Sequence, residues 1–347
     1  MKCECILRVG KFCLLVFLIL VVLTKAAFTF GLEGSKKTLP SHPVHTYSIV
    51  ARDTLTGEMG VAVQSHWFSV GRVVPWAEAG VGAVATQSFA EVSYGPLGLE
   101  LMKSGKTAPE ALKELLSKDE NSAIRQVAMI DANGNVACHT GDKCIPEAGH
   151  IIGNNYSVQA NLMLNDKVWP EMASTFEKTK GSLTERMIVS LEAGQTAGGD
   201  IRGMQSAAII VVRGKSTGKS WEDKILDLRV EDHPEPLKEL KRLYNTAKAY
   251  EHMDKGDKAI EENDTEMALK EYGTAEKMVP DNLEMKFWHA VSLVTIGKVD
   301  ESLPIFEEIF TKDANWAILV KRLPQVDLLP KDEEILEKIL SVSGKKK

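Results

Sequence analysis

Between residues 46 and 65 the chain alternates. Thr46, Ser48 and Val50 interleave with Tyr47, Ile49 and Ala51, and a second strand-like run covers Gly60-Val61-Ala62-Val63-Gln64-Ser65. Thr54-Leu55-Thr56-Gly57-Glu58 supplies turn chemistry between them, so the pattern predicts a β-hairpin that opens the globular region. The stretch 80–87 is rich in small residues and apolar up to Thr86 and Gln87, as a strand buried on both faces would be. Residues 96–102 and 109–116 predict two helices, the second with Pro109 in its first turn and Ala111, Leu112, Leu115 and Leu116 along one side. Strands return at 124–131 and 135–140 around Asn133-Gly134, a hairpin signal. A strand at 155–162, helices at 167–178 and 182–193, and strands at 206–213 and 224–231 complete the order. Runs of hairpin strands separated by helix pairs predict an α+β fold of antiparallel sheets with helices segregated on outer faces.

After Asp232-His233-Pro234-Glu235-Pro236 the composition turns to helix formers and a repeat emerges. Asn263, Ala268, Leu269, Tyr272 and Pro280-Asp281 recur 34 residues later as Gly297, Ser302, Leu303, Phe306 and Ala314-Asn315, which is the tetratricopeptide period and register. With flanking helices at 237–258 and 330–340, about two repeats form an all-α tetratricopeptide-like domain over 236–347, behind a first domain over 45–235. Two repeats bury little surface by themselves, so the helices are expected to pack on the first domain or to bind a protein partner or a second copy.

Upstream of the hairpin, Lys2, Arg8 and Lys11 precede twelve uninterrupted apolar residues, 12–23. That is short of the roughly 20 residues needed to span a bilayer, so residues 1–26 predict a signal peptide cleaved near Ala26, with an uncleaved signal anchor as the alternative. Residues 27–44, with Gly31, Gly34, Pro40 and Pro43, read as a linker or pro-segment. The expected location is secreted or periplasmic, and membrane association follows only if the segment stays uncleaved. The 347 residues carry 42 basic and 48 acidic side chains; without residues 1–26 the balance is 38 against 47, a net charge of −9 that argues against nucleic acid as a partner. Cys3, Cys5 and Cys13 leave with the leader. Cys138 and Cys144 remain as an even pair, and in an oxidising compartment a disulfide between them is expected. Cys138 and His139 are strand neighbours that point to opposite faces, and neither HExxH nor paired CxxC occurs, so no metal and no cofactor is expected.

The chemistry centres on Thr46, at the head of a strand and preceded by little but removable sequence. A threonine hydroxyl is activated when its own α-amine is free to act as base. Ser48 shares its face but lies inside the strand. Asp200, Arg202 and Gln205 sit in a loop with Gly198, Gly199 and Gly203, where an Arg fork can hold a carboxylate, either of a ligand or of Asp200 itself. His66, beside Trp67, is placed to line the same end of the sheets as Gln87 and Asn161. These six residues are the candidate substrate-binding set.

Thr46 to Asp53, Val70-Gly71 with Val74-Pro75-Trp76, 80–87, Tyr94-Gly95-Pro96 and 198–208 together resemble the domain of unknown function 1028 family, over about residues 45–245. Gln159-Ala160-Asn161 departs from a family motif that more often has Gly in the middle, and Glu91 stands where Asn is common. The resemblance implies an N-terminal-nucleophile-hydrolase-like fold, a four-layer αββα sandwich, with Thr46 as nucleophile. A second cut, after His45, is then required. The implied activity is that of an amidohydrolase on an unknown amide or ester. The competing reading is a non-catalytic ligand- or partner-binding scaffold with a helical interaction tail.

Overall fold

Alternation along the first strand decides what lies on each side of it. In β1 (Thr46–Arg52) Tyr47, Ile49 and Ala51 fall on one face and Thr46, Ser48 and Val50 on the other. β1 pairs with β2 (Met59–Ser65) in the expected hairpin, Thr46 opposite Ser65. The structure, a computed structural model, describes residues 44–344. The expected signal peptide and its cysteines, and the linker up to Pro43, lie outside the described residues.

β7 (Gly149–Gly153), β8 (Tyr156–Ala160), β9 (Ser206–Val212) and β10 (Lys224–Val230) join the hairpin in a six-stranded sheet of order β10-β9-β2-β1-β8-β7. β3 (Pro75–Glu78), β4 (Gly82–Ser88), β5 (Arg125–Asp131) and β6 (Val136–Thr140) form a four-stranded sheet in that order. Every pairing in both sheets is antiparallel.

Three cores follow from the period of two. Val50, Val61, Val63 and Ile210 of the larger sheet meet Ala83, Ala85, Ala128 and Ile130 of the smaller one. On the other side of the larger sheet, Tyr47, Ile49, Val158 and Ile209 pack against α3 (Val168–Lys178) and α4 (Leu183–Thr196), through Met172, Phe176, Met187 and Leu191. On the outer side of the smaller sheet, Val84, Val127 and Met129 meet α1 (Tyr94–Lys103) and α2 (Ala108–Lys118), through Leu99, Met102 and Leu112. Each fully buried Val, Leu, Ile, Phe or Met among them contributes about 1.5–3 kcal/mol. Helices α2 and α4 start at complete capping boxes, Thr107 with Glu110 and Ser182 with Glu185, worth about 1 kcal/mol each.

The predicted helices and central strands form within a few residues of their expected bounds. The stretch 80–87 forms a strand only from Gly82, because Gly80, at φ +72°, sits in the preceding turn. β3 and β7 are unanticipated, and both are edge strands of four and five residues. Pro75 opens β3, a position where a strand tolerates the missing N–H.

A four-residue helix, α5 (Ser220–Asp223), precedes β10. The C-terminal region is helical, as expected. α6 (Pro236–Glu261) packs its first turns, Leu237 and Leu240, on the larger sheet's helical side, and its second half against α7 (Thr265–Met278). Gly256 lets α6 approach α7, since a Cβ there would lie 2.5 Å from the Tyr272 ring. α8 (Leu283–Thr295), α9 (Val299–Lys312), α10 (Asn315–Val320) and α11 (Glu333–Ser341) follow. The repeat pairs Ala268/Ser302 and Tyr272/Phe306 are all wholly buried, at equivalent places on α7 and α9. Among the described residues no helix is long and apolar enough to cross a membrane.

Candidate functional site

The layer between the sheets is apolar except at one end. Alternation directs Thr46 and Ser48 (head of β1), Ser65 (tail of β2), Gln87 (tail of β4), Gln126 (head of β5), Thr140 (tail of β6) and Ser157, Gln159 and Asn161 (along and just past β8) into this layer. In antiparallel sheets these heads and tails coincide at one end. All but Thr140 are fully or almost fully buried. Buried polar groups of this density are tolerated only when hydrogen-bonded, and here the bonds run in one direction.

The backbone carbonyl of Ala160 anchors the run. Gln126 Nε2 donates to it at 2.8 Å, which turns Gln126 Oε1 toward Gln87 Nε2 (2.7 Å) and Asn161 Nδ2 (2.9 Å). Gln87 Oε1 therefore accepts from Ser48 Oγ at 2.6 Å, and Ser48 Oγ accepts from Gln159 Nε2 at 2.6 Å. Asn161, with its amide nitrogen committed to Gln126, presents Oδ1 to His45 Nδ1 at 2.8 Å. Asn161 Oδ1 is an acceptor, so the His45 ring carries its proton on Nδ1. Burial, foremost, holds His45 below its usual pKa, and the ring is neutral at pH 7.

The bond between His45 and Thr46 lies at the centre. The His45 carbonyl accepts from Ser65 Oγ at 2.5 Å and from Arg202 Nη2 at 3.2 Å. Thr46 Oγ1 faces Val44 O at 3.1 Å and Ser65 Oγ at 3.2 Å. Arg202 grips Asp200 bidentately, Nε to Oδ1 at 3.0 Å and Nη2 to Oδ2 at 2.7 Å. The buried Asp200 carboxylate also accepts from the backbone N–H of His66 at 3.3 Å. Gly198, Gly199 and Gly203, at φ +139°, +61° and +105°, give this loop turns that favour glycine. A carbonyl with a hydroxyl and a guanidinium donating to its oxygen is polarised toward nucleophilic addition. While the Thr46 nitrogen is a peptide nitrogen, it cannot act as a base.

Of the expected residues, Thr46, Gln87, Asn161, Asp200 and Arg202 come together around this bond. His66 joins through its backbone, and its buried Nδ1 lacks a hydrogen-bond partner among the described residues. Gln205 does not join: its amide turns outward to Asp232 at 3.2 Å, and only its backbone N–H reaches inward, to Ser65 O. The disulfide expected between Cys138 and Cys144 is not formed. Strand direction sends Cys138 between the sheets toward Gln159, while Cys144 turns to the Arg125 carbonyl at 3.3 Å. Among the described residues no cluster of three or more His, Cys, Asp or Glu is arranged to hold a metal. Ser65 and Gln126 were not anticipated. The available signal was a polar residue at an inward strand position at the same end as Thr46.

Comparison with known proteins adds three findings. The family described as a family of unknown function, DUF1028, matches residues 46–240, which begins at Thr46 and covers more than half of the chain. A crystal structure of a Silicibacter pomeroyi protein of that same family is similar, with 26% identity and a TM-score of 0.53, covering 58% of this chain and 86% of the other. Anbu, an ancestral beta-subunit from Yersinia bercovieri, aligns at 11% identity and a TM-score of 0.31, covering 57% of this chain and 93% of its own. No curated protein matches this chain. By the extent of the family match, the chain belongs to the DUF1028 family of unknown function.

Proposed function

We propose that this protein is an exported amidohydrolase of the N-terminal-nucleophile type, activated by cleavage of its own His45–Thr46 bond. One observation carries the reading: two donors, Ser65 Oγ and Arg202 Nη2, converge on the carbonyl oxygen of the residue before a buried strand-head threonine. The stacking of helices, sheet, sheet and helices accords with the four-layer αββα sandwich of such hydrolases.

The chemistry runs in two stages. Thr46 Oγ1 adds to the His45 carbonyl carbon, and the oxyanion is held by Ser65 and Arg202. Collapse breaks the C–N bond; the nitrogen takes the hydroxyl proton, leaving an ester on Thr46 and a free α-amine. Water hydrolyses the ester and releases the upstream segment as an acid. In the second stage the free amine, titrating near pH 8 (roughly 7.7–8.0), takes the Thr46 hydroxyl proton as the oxygen attacks an external amide. The same two donors then face the external oxyanion. The helical region, read as tetratricopeptide-like, supplies a partner-binding surface.

The test is turnover of acylated aminocoumarin amides before and after the cut. Thr46→Ala is expected to stay uncut and inactive while the wild type gains activity in step with cleavage; equal activity in both would reject the nucleophile.

A second reading, a binding scaffold, is favoured by one feature of the helical region. A groove of about 480 Å³ is lined by Tyr250, Tyr272, Met285 and Trp288 beside Asp254 and Asp257, a surface suited to a partner. In that reading the sandwich is catalytically silent.

A further inference from the structure

Val44 and His45 occupy the site as a bound dipeptide would. Val44 forms an antiparallel bridge with Ser88, its carbonyl accepting from Ser88 N–H at 2.8 Å. Val44 is 5% exposed and packs into the core between the sheets. The His45 side chain lies edge-on to Phe89, ring centroids 6.2 Å apart and planes at 87°, with Nδ1–H donated to Asn161 Oδ1. Its carbonyl sits between Ser65 Oγ and Arg202 Nη2. Every polar atom named here on the acyl side of the bond has a fixed partner, and the partners are supplied by the sandwich.

The Asn161 contact is the selective one. The Gln126 anchor orients the Asn161 amide so that its oxygen, not its nitrogen, meets the His45 side chain. A buried acceptor with no donor opposite it is costly, so the cleft discriminates by the presence of a donor more strongly than by size.

We infer that the space vacated by Val44 and His45 becomes the acyl-side binding cleft for external substrates. The substrate class is a peptide amide whose residue before the scissile bond has a planar side chain bearing an N–H donor, as histidine does. A branched apolar residue precedes it, bound extended along Ser88. This deepens the nucleophile reading and rests on it. The peptide acyl group passes to Thr46 Oγ1, the amine leaves with the proton, and water returns the peptide acid.

The chain from Val44 onward is one compact unit, so protein beginning at Thr46 is a fair test object. It is made by expressing Met followed by Thr46 to Lys347, with removal of the initiator methionine checked by mass and folding by a cooperative melt. Acetyl-Val-His, acetyl-Val-Phe and acetyl-Val-Leu aminocoumarin amides are compared by kcat/KM. Binding of the acid acetyl-Val-His is measured separately by calorimetry. The His amide is expected to be favoured over the Phe amide by at least about tenfold, and Asn161→Leu to erase that ratio. Equal turnover of all three overturns the cleft specificity and leaves the nucleophile standing. Binding of acetyl-Val-His without cleavage of any amide keeps the cleft and removes the nucleophile. Neither binding nor turnover by a folded protein overturns both. In the full chain, His45→Phe should cut itself at least about tenfold more slowly than His45→Asn, which keeps the donor; equal rates count against the cleft.

Discussion

Gln126→Leu is the sharpest probe of the polar end of the sheets. Leucine fills a volume close to that of glutamine, so the change removes hydrogen bonds without opening a large cavity. Five are lost: those with Gln87, Ala160 and Asn161 at 2.7, 2.8 and 2.9 Å, all among fully buried residues, and two to the half-buried Thr140 hydroxyl and Gly149 carbonyl at 2.9 and 3.3 Å. Each contributes about 1 kcal/mol net, and a buried amide N–H left unpaired costs about 1–3 kcal/mol. Gln87 Nε2 keeps longer contacts to Thr46 O and Gln159 O at 3.3 Å, and Asn161 Nδ2 keeps Thr46 O at 3.4 Å. These hold the total below the sum of the penalties, at about 3 kcal/mol. With a urea slope of about 3 kcal/mol/M the midpoint should fall by about 1 M at unchanged slope. Fluorescence and circular dichroism should give the same shift. A fall under about 0.3 M would mean that the Gln126 amide does not organise the end of the sheets, and the assignment of Asn161 Oδ1 to His45 would lose its basis.

Four further outcomes follow from the same geometry. Arg202→Met should slow cleavage of the His45–Thr46 bond by about 10²–10³-fold, followed by intact mass over time, since it removes one donor from the carbonyl oxygen. His45 and His150 both have pKa values lowered chiefly by burial, so the unfolded chain binds their protons more readily. Their stabilising contribution is therefore present above pH 6.5 and lost as pH falls through the lowered native values, and His45→Asn should flatten that slope in urea titrations of the uncut chain. Gly60→Ala would place a Cβ 2.5 Å from the Ile210 carbonyl oxygen, so a loss of about 2–4 kcal/mol is expected on chemical denaturation. Burial pushes the Cys138 thiol up to about 12 and raises Cys144; iodoacetamide at pH 8 should label neither until the protein unfolds, which peptide mapping would check.

Much of the fold could be read from alternation and turn chemistry. The β1–β2 hairpin, the Asn133-Gly134 turn and the two helix pairs follow from local pattern because each is reinforced by its own neighbours. β3 and β7 escaped because edge strands of four or five residues carry too few positions to establish a period. For the site, Thr46 stood out at the head of a strand, Gln87 as the polar end of an apolar run and Asn161 as a polar residue just past a strand. Gln126 did not, because it opens the apolar run Val127 to Ile130 and reads as its flank; only pairing with β4 reveals that it faces Gln87. Gln205 fits the loop pattern as well as Arg202 does, yet its side chain leaves the site, because its backbone rather than its amide is tied to β2. The Cys138–Cys144 spacing carries no information on side-chain direction, and direction is what keeps these sulfurs from joining.

The most direct measurement is the identity of the first residue of the protein recovered from its natural cells in amide-cleaving form, by intact mass and N-terminal sequencing. The account predicts a chain that starts at Thr46 with an unmodified amine. Active protein in which that nitrogen is still bonded to the His45 carbonyl would contradict it.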